Sequence, residues 1–259
     1  MKAPDLELVR SLRDRSRRDE TGLFVVEGAR CAVATVDARA EVVLAVVAPR
    51  ALTSPMAQMM ARRLRQRGTP EIRVEPAVLA ELASTREPQG IVLCVRQRRT
   101  PIADVRPPPR ALWLVVEGVR SPGNLGTACR TARAVGASGL VVVACADTVS
   151  PDPFDPGCVR ASIGAILDVP VIDATPASLR AFADATGTRL VAAVPRARLD
   201  WRQVRYDGAV GIVLGSERKG ASSELLDRVH THVRIPMVAP MDSLNVAVAS
   251  AVMLYEAFR

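Results

Sequence analysis

The stretch ALWLVVEGVRSPGNLGTACRTARAVGASGLVVVACA, residues 111–146, decides the fold. An apolar run of strand length at 111–119 meets a tight turn at Pro122-Gly123, a helical run follows at 126–135, and a second apolar run comes at 139–146. Strands this uniformly apolar are buried on both faces, so the pattern predicts a mostly parallel sheet with helices covering each side. Just before the helical run, Asn124 sits where an N-cap or turn residue is expected. Arg130 and Arg133 stand one turn apart among Ala128, Cys129, Ala132, Ala134 and Val135. A helix so poor in polar groups is expected to bury most of its surface, and an arginine there must then find an anion.

Outward toward the C-terminus the alternation continues. Strands are expected at 189–195, 209–215 and 232–237, and helices at 159–167, 176–186, 222–229 and 244–258. Toward the N-terminus, GLFVVEG (22–28), EVVLAVVA (41–48), EIRVE (71–75) and GIVLCVRQ (90–97) are separated by amphipathic runs such as SPMAQMMARRLRQRG (54–68). That spacing predicts a second, smaller α/β domain. Between the two lies a stretch rich in Pro and Arg that ends in VRPPPR and has no apolar period. Proline fixes φ and removes a donor, so this stretch reads as a semi-rigid connector. The expected domains are 1–97, a linker at 98–110, and 111–259.

Charge separates the two halves. The chain of 259 residues carries a net charge of +8, and residues 1–110 hold 20 Lys+Arg against 13 Asp+Glu, while the remainder is nearly balanced. Only Lys2 and Lys219 are lysine among the 35 basic residues. A GC-rich genome would explain arginine in place of lysine, but not its concentration in one half. The guanidinium fork suits phosphate and its plane suits base stacking, so the N-terminal half is expected to meet RNA or DNA. Its basic residues cluster in RSLRDRSRRDE (10–20) and RRLRQRG (62–68), and either could be a phosphate-contacting surface or a solvated helix face.

Other classes recede. No run approaches eighteen apolar residues, and MKAPDLELVRSLRDRSRR has charges where a signal peptide needs an apolar core, so a cytoplasmic protein without a membrane partner is expected. Five cysteines lack any C-x-x-C pair, and His230 and His232 have no cysteine or histidine cluster nearby, which argues against a metal or a disulfide framework. The histidines read as ordinary half-exposed residues.

Ligands of parallel α/β sheets bind at the loops beyond the C-terminal strand ends. One such loop opens the helix at 122, with Glu117 ending the strand before it. Another is GSERKG (215–220), which is not a phosphate-binding Walker loop because no G-K-[ST] closes it. A further one leads from RIPM (234–237) to a long apolar helix, with Asp242 or Ser243 as expected N-cap and Asn245 as a buried polar residue in need of a partner.

Singly these loops carry little specificity, but their order and spacing are similar to the three motifs of the SpoU (TrmH) family of RNA ribose 2′-O-methyltransferases, within the SPOUT superfamily. SPGNLGTACRTARAVGASGLVVV, GIVLGSERKGAS and RIPMVAPMDSLNVAVASAVMLYE resemble those motifs, and DPFDPGCVRASIGAILDVPV (152–171) resembles the segment that follows the first. RRDETGLFVVEGAR (17–30) and EPQGIVLCV (87–95) resemble the ribosomal-protein-like substrate-binding domain that many members carry. The resemblance implies a homodimer and a C-terminal sheet tied in a deep trefoil knot, which no propensity predicts. It implies S-adenosylmethionine as cofactor, with Gly215, Ile235 and Leu244 lining its adenosine and Ala193, Leu214 and Met237 close by. The catalytic set it implies is Arg130, Asn124, Glu217, Ser243 and Asn245, while Arg133 falls outside it as a structural or dimer-contact residue. The family pattern is broken at Ser121, where an acidic residue is frequent, and at Arg218, where glycine is usual.

The implied reaction is methylation of a ribose 2′-hydroxyl in RNA, with 23S ribosomal RNA favoured by the N-terminal extension. Transfer RNA as substrate, or a non-catalytic RNA-binding assembly factor on the same fold, are the alternatives. A different nucleotide-using enzyme on an open α/β sheet is disfavoured by the missing phosphate loop.

Overall fold

The computed structural model describes residues 5–85, 88–146, 149–238 and 242–259. Residues 239–241 of the third expected motif, and residue 87 of the EPQGIVLCV segment, lie outside the described residues. The chain divides into two units, Met1–Gln97 with Asp152–Asp168, and Arg98–Pro151 with Val169–Arg259.

The first unit is built on a four-stranded sheet of β1 (Leu23–Glu27), β2 (Val42–Val47), β3 (Glu71–Arg73) and β4 (Ile91–Arg96), in the order β1-β4-β2-β3. β4 runs antiparallel to both β1 and β2, and β3 is parallel to β2. Its helices are α1 (Leu6–Ser11), α2 (Arg15–Thr21), α3 (Ala29–Asp37), α4 (Pro55–Gln66) and α5 (Pro76–Leu82). Proline takes the first position of α4 and α5, where its missing N–H costs nothing. Val9, Leu12, Val25, Leu44, Leu79 and Val92 fill one core.

The segment 152–168 completes this unit although it lies far along the chain. Phe154 is buried against Phe24, with ring centroids 4.9 Å apart. Arg18 is 2% exposed and donates to Asp152 at 2.5 Å and to the carbonyls of Leu12 and Arg13. Gly164, at φ +83°, fits so closely that a Cβ would fall 2.3 Å from that of Ala34. The sequence places this segment within 111–259, because a short apolar run does not say which sheet it covers. The expected helix 159–167 is a shorter one, α7 (Pro156–Ala161), which follows α6 (Pro122–Ala134) in chain order and is followed by a 3-10 turn at Ala165–Leu167.

The second unit is an eight-stranded sheet in the order β10-β12-β9-β11-β6-β7-β8-β5, and every pairing in it is parallel. Its strands are β5 (Arg99–Pro101), β6 (Leu112–Glu117), β7 (Gly139–Val143), β8 (Val171–Ala174), β9 (Arg189–Ala193), β10 (Leu199–Asp200), β11 (Val210–Leu214) and β12 (Thr231–Arg234). Its helices are α6 (Pro122–Ala134), α8 (Pro176–Thr186), α9 (Ser223–Leu226) and α10 (Val246–Phe258). The stretch expected to be a connector therefore gives this sheet an edge strand, since Arg99–Pro101 pairs with β8 and Arg99 bonds Asp173 at 2.6 Å. An edge strand tolerates proline, because the missing N–H can face away from the ladder.

β6 is buried along its whole length, as its uninterrupted apolar sequence requires. Trp113 and Val115 point into a core with Val141, Ile172, Leu190 and Val213, and Trp113 meets Phe182 edge-on at 5.8 Å. α6 and α10 pack on each other, and α10 also lies against β6 and β11. The chain builds rightward from β6 to β8, then crosses to β9, and later inserts β11 between β9 and β6 and β12 between β10 and β9. Strand order thus reverses beside β6, and all C-terminal strand ends share one edge.

Candidate functional site

At that edge the loops after β6, β9, β11 and β12 converge, because the four strands are neighbours and parallel. A reversal of strand order leaves a crevice between loops that turn to opposite faces of the sheet.

The loop after β6 enters α6 through Ser121, whose hydroxyl accepts from the Asn124 N–H at 3.3 Å. Ser121 is the N-cap, not Asn124, and Pro122 occupies the first helical position. Asn124 is thereby released from capping, and its side chain donates from Nδ2 to Oε1 of Glu217 at 2.6 Å. Its Oδ1 accepts from Nδ2 of Asn245 at 3.1 Å. Asn245 in turn is the N-cap of α10, its Oδ1 accepting from the Ala247 and Val248 N–H groups at 2.9 and 3.3 Å. Neither Asp242 nor Ser243 caps that helix, and Asn245 is exposed, not buried.

Every orientation in this chain of bonds is determined. A carboxylate only accepts, so Asn124 must turn its NH2 to Glu217. The Asn245 oxygen is used by the helix end, so only its NH2 remains for Asn124. The first, second and third sequence motifs are tied together by two side-chain hydrogen bonds among groups more than ninety residues apart.

Glu217 is held on a folded-back loop. Ser216 and Gly220 exchange backbone hydrogen bonds at 3.0 and 2.9 Å. Gly215 has no room for a side chain: a Cβ would fall 1.8 Å from the Ala221 nitrogen and 2.0 Å from the Gly220 carbonyl carbon. The far end of the loop is fixed by Glu117, fully buried, which accepts from the Ser222 N–H at 2.6 Å and its hydroxyl at 2.7 Å. Glu117 was legible in the sequence only as a strand end. Period two in β6 turns it to the same face as Trp113 and Val115, where Ser222 caps α9. A carboxylate closing an otherwise apolar strand was the available signal for this role.

The remaining expected residues sort by exposure. Ala193, Ile235, Met237 and Leu244 are half-buried at the ends of β9 and β12 and before α10, leaving apolar surface at the crevice. Leu214 is 3% exposed and presents almost no surface there. Ser243 is half-buried. Arg130 and Arg133 are exposed on α6, whose buried face is Leu125, Gly126, Ala128, Cys129 and Ala132. The Arg130 side chain makes no hydrogen bond or ion pair among the described residues, so of the two anions open to it, an internal carboxylate or a substrate phosphate, no internal carboxylate is seen there. His230 accepts from the Leu190 N–H at 3.0 Å and His232 meets the Leu226 carbonyl, both as parts of the fold. Among the described residues no group of His, Cys, Asp or Glu is arranged to hold a metal, and no helix is long and apolar enough to cross a membrane.

Residues 111–255 match the model of the SpoU rRNA Methylase family, and residues 4–93 match that of the MRM3-like substrate binding domain. Over 206 residues, 78% of this chain and 72% of the relative, the sequence is 36% identical to an uncharacterized tRNA/rRNA methyltransferase of Synechocystis sp.. The fold is similar to that of an AdoMet-bound rRNA methyltransferase from Sinorhizobium meliloti, with TM-score 0.87 and 31% identity over 99% of this chain and 95% of that one. It is also similar to an RNA 2′-O ribose methyltransferase, with TM-score 0.81 and 31% identity over the same shares of the two chains.

Proposed function

This chain belongs to the SpoU rRNA methylase family of RNA methyltransferases, and on that premise we propose that it methylates a ribose 2′-hydroxyl of 23S ribosomal RNA in the cytoplasm. The observation that carries this reading is the Asn245–Asn124–Glu217 chain of hydrogen bonds beside the reversal of strand order. Three loops held in one register make a site. A merely structural edge would not require polar side chains to converge there.

S-adenosylmethionine is the expected cofactor, and the residues fit it. Ala193, Ile235, Met237 and Leu244 offer apolar surface to a flat ring, and the half-buried Gly215 offers backbone groups beside the buried Leu214. When bound, it supplies a methyl group already activated on a sulfonium. The protein's task is then to place the ribose hydroxyl and to ease departure of its proton. Asn124 and Glu217 form a rigid polar wall whose orientation is set by Asn245, and Ser243 stands next to that wall in sequence. Arg130 keeps its proton, as guanidinium does in proteins, so it acts as an electrostatic clamp and not as a base. It grips the phosphate beside the target ribose and stabilises the developing alkoxide, while the proton leaves to that phosphate, water or a neighbour.

A homodimer through α10 is part of the same reading. Val248, Tyr255 and Phe258 are 51%, 54% and 61% exposed on that helix, an apolar display that suits a second copy. The deep knot is supported by the late insertion of β11 and β12 between strands already laid down.

Two measurements test the function together. Calorimetry with S-adenosylmethionine should show one specific site per chain, and maps of 2′-O-methyl groups in ribosomal RNA should lose one position when the gene is deleted. Specific cofactor binding with unchanged ribosomal RNA and a missing mark in transfer RNA would move the substrate; no cofactor binding would end the proposal.

A further inference from the structure

The two arginine clusters of the N-terminal half are not equivalent. In the 10–20 cluster every arginine is engaged within the unit. Arg10 pairs with Glu81 at 3.7 Å, Arg15 with Asp19 at 3.5 Å, and Arg17 with Glu20 at 2.5 Å. Arg13 donates to the Glu81 and Ala83 carbonyls, and Arg18 is buried on Asp152. Arg10, Arg13 and Arg18 are spent on holding α1, α2, α5 and the 152–168 segment together, and Arg15 and Arg17 on carboxylates of α2 itself.

α4 is different. Ala57, Met60, Ala61 and Leu64 face inward. The opposite face carries Met56, Met59, Arg62, Arg63 and Gln66, all exposed, on a stripe of i, i+3, i+4 and i+7 spacing. The side chains of Arg62 and Arg63 make no hydrogen bond or ion pair among the described residues, whereas Arg65 is bound to Glu71 and Arg67 reaches the Val36 carbonyl. No acidic residue lies between positions 42 and 70, so nothing on α4 itself neutralises the face. Met56 and Met59, 42% and 46% exposed, add two unbranched side chains to the stripe.

We infer that the outer face of α4 is the RNA-docking surface of the N-terminal unit, with Arg62 and Arg63 on consecutive backbone phosphates and Met56 and Met59 against sugar and base. The inference deepens the proposed function and rests on RNA being the substrate. Unpaired guanidiniums suit phosphate by charge and by their fork of donors. Thioether side chains adapt to an irregular apolar surface, as the edges of nucleotides present. An acidic protein would satisfy the arginines but would leave the two methionines without a matching surface.

The test uses the full chain and a fluorescein-labelled RNA hairpin of about thirty nucleotides, with binding measured across a salt series. Arg62→Ala/Arg63→Ala should lower the slope of log Kd against log salt by about 1.5 to 2, since each lost phosphate contact removes a little under one. Arg15→Ala/Arg17→Ala removes the same charge from the spent cluster and should leave the slope within about 0.5 of the unaltered protein. Cofactor affinity by calorimetry should be unchanged in both. Equal slopes for the two double variants would overturn the inference, and so would an Arg62/Arg63 variant indistinguishable from the unaltered protein. If the unaltered protein bound no RNA at all, the proposed function itself would fall, and that result is distinct from the other two.

Discussion

Replacing Gly215 with alanine should cost the cofactor site most of its affinity while leaving the chain folded. The added Cβ would lie 1.8 Å from the Ala221 nitrogen and 2.4 Å from the Gly220 oxygen. Both are backbone atoms, so no side chain can rotate away. Ordinary van der Waals contact begins near 3.4 Å, and the loop must retreat by roughly 1.6 Å. A shift of that size breaks the paired Ser216–Gly220 hydrogen bonds at 3.0 and 2.9 Å. At about 1 kcal/mol for each net backbone bond, the loss is about 2 kcal/mol. If that loop is ordered in the cofactor complex, 2 kcal/mol appears as roughly a thirtyfold rise in Kd. Calorimetry with S-adenosylmethionine reads it directly, and a thermal midpoint lowered by no more than about 8 °C confirms that the fold persists. Gly123→Ala is the matched control. It lies in the first turn of α6 with only the Ser121 hydroxyl near its Cβ position, at 3.9 Å, so affinity should hold and helix propensity should improve. A Gly215→Ala protein that binds S-adenosylmethionine within twofold of the unaltered chain would refute the placement of the site at this loop.

Further outcomes follow from the same geometry. Arg130→Ala should abolish methylation while cofactor affinity stays within about twofold, because the residue is exposed on α6 and its side chain pairs with nothing among the described residues; an active variant would remove it from the reaction. Asn124→Asp sets a second carboxylate against Glu217 at the present 2.6 Å and, at an effective dielectric near 20, costs about 6 kcal/mol of repulsion, so activity at pH 8 should fall at least a hundredfold; near-normal turnover would show the hydrogen bond to be incidental. Asp152→Ala leaves the buried Arg18 guanidinium without its closest anion, and denaturant unfolding should show a loss of about 3 kcal/mol or more, against a smaller loss for Arg18→Met. Burial raises the thiol of Cys31 and pushes that of Cys94 up to about 12, so at pH 8 neither is deprotonated and a thiol reagent should meet the half-exposed Cys145 first; rapid labelling of Cys94 in the native protein would contradict its burial.

The apolar periods made the alternation of elements legible. Runs such as LWLVVE and VGIVL can only be strands covered on both faces, and proline before a helical run marks its first turn in α4, α5, α6, α7 and α8. The crevice was legible too, since a parallel sheet admits few places for a ligand. Local polar roles were less so. Asn124, Ser121 and Asn245 are all good N-cap residues by type, and which of them caps a helix depends on partners more than ninety residues away. The same holds for the arginines, whose sequence clusters look alike until Arg18 is seen on Asp152 and the Arg62 side chain without a partner among the described residues.

By itself, then, the sequence determined the class of fold, the excess of basic residues in one half and the residue types at the strand ends, because burial period and turn chemistry are local. Only the tertiary structure decided that 152–168 completes the N-terminal unit, that Arg99–Pro101 joins the large sheet, and that Glu217, Asn124 and Asn245 form one polarised chain. Hydrogen-bond direction and the identity of a buried neighbour are properties of pairs of residues distant in sequence, and no period or propensity along the chain encodes them.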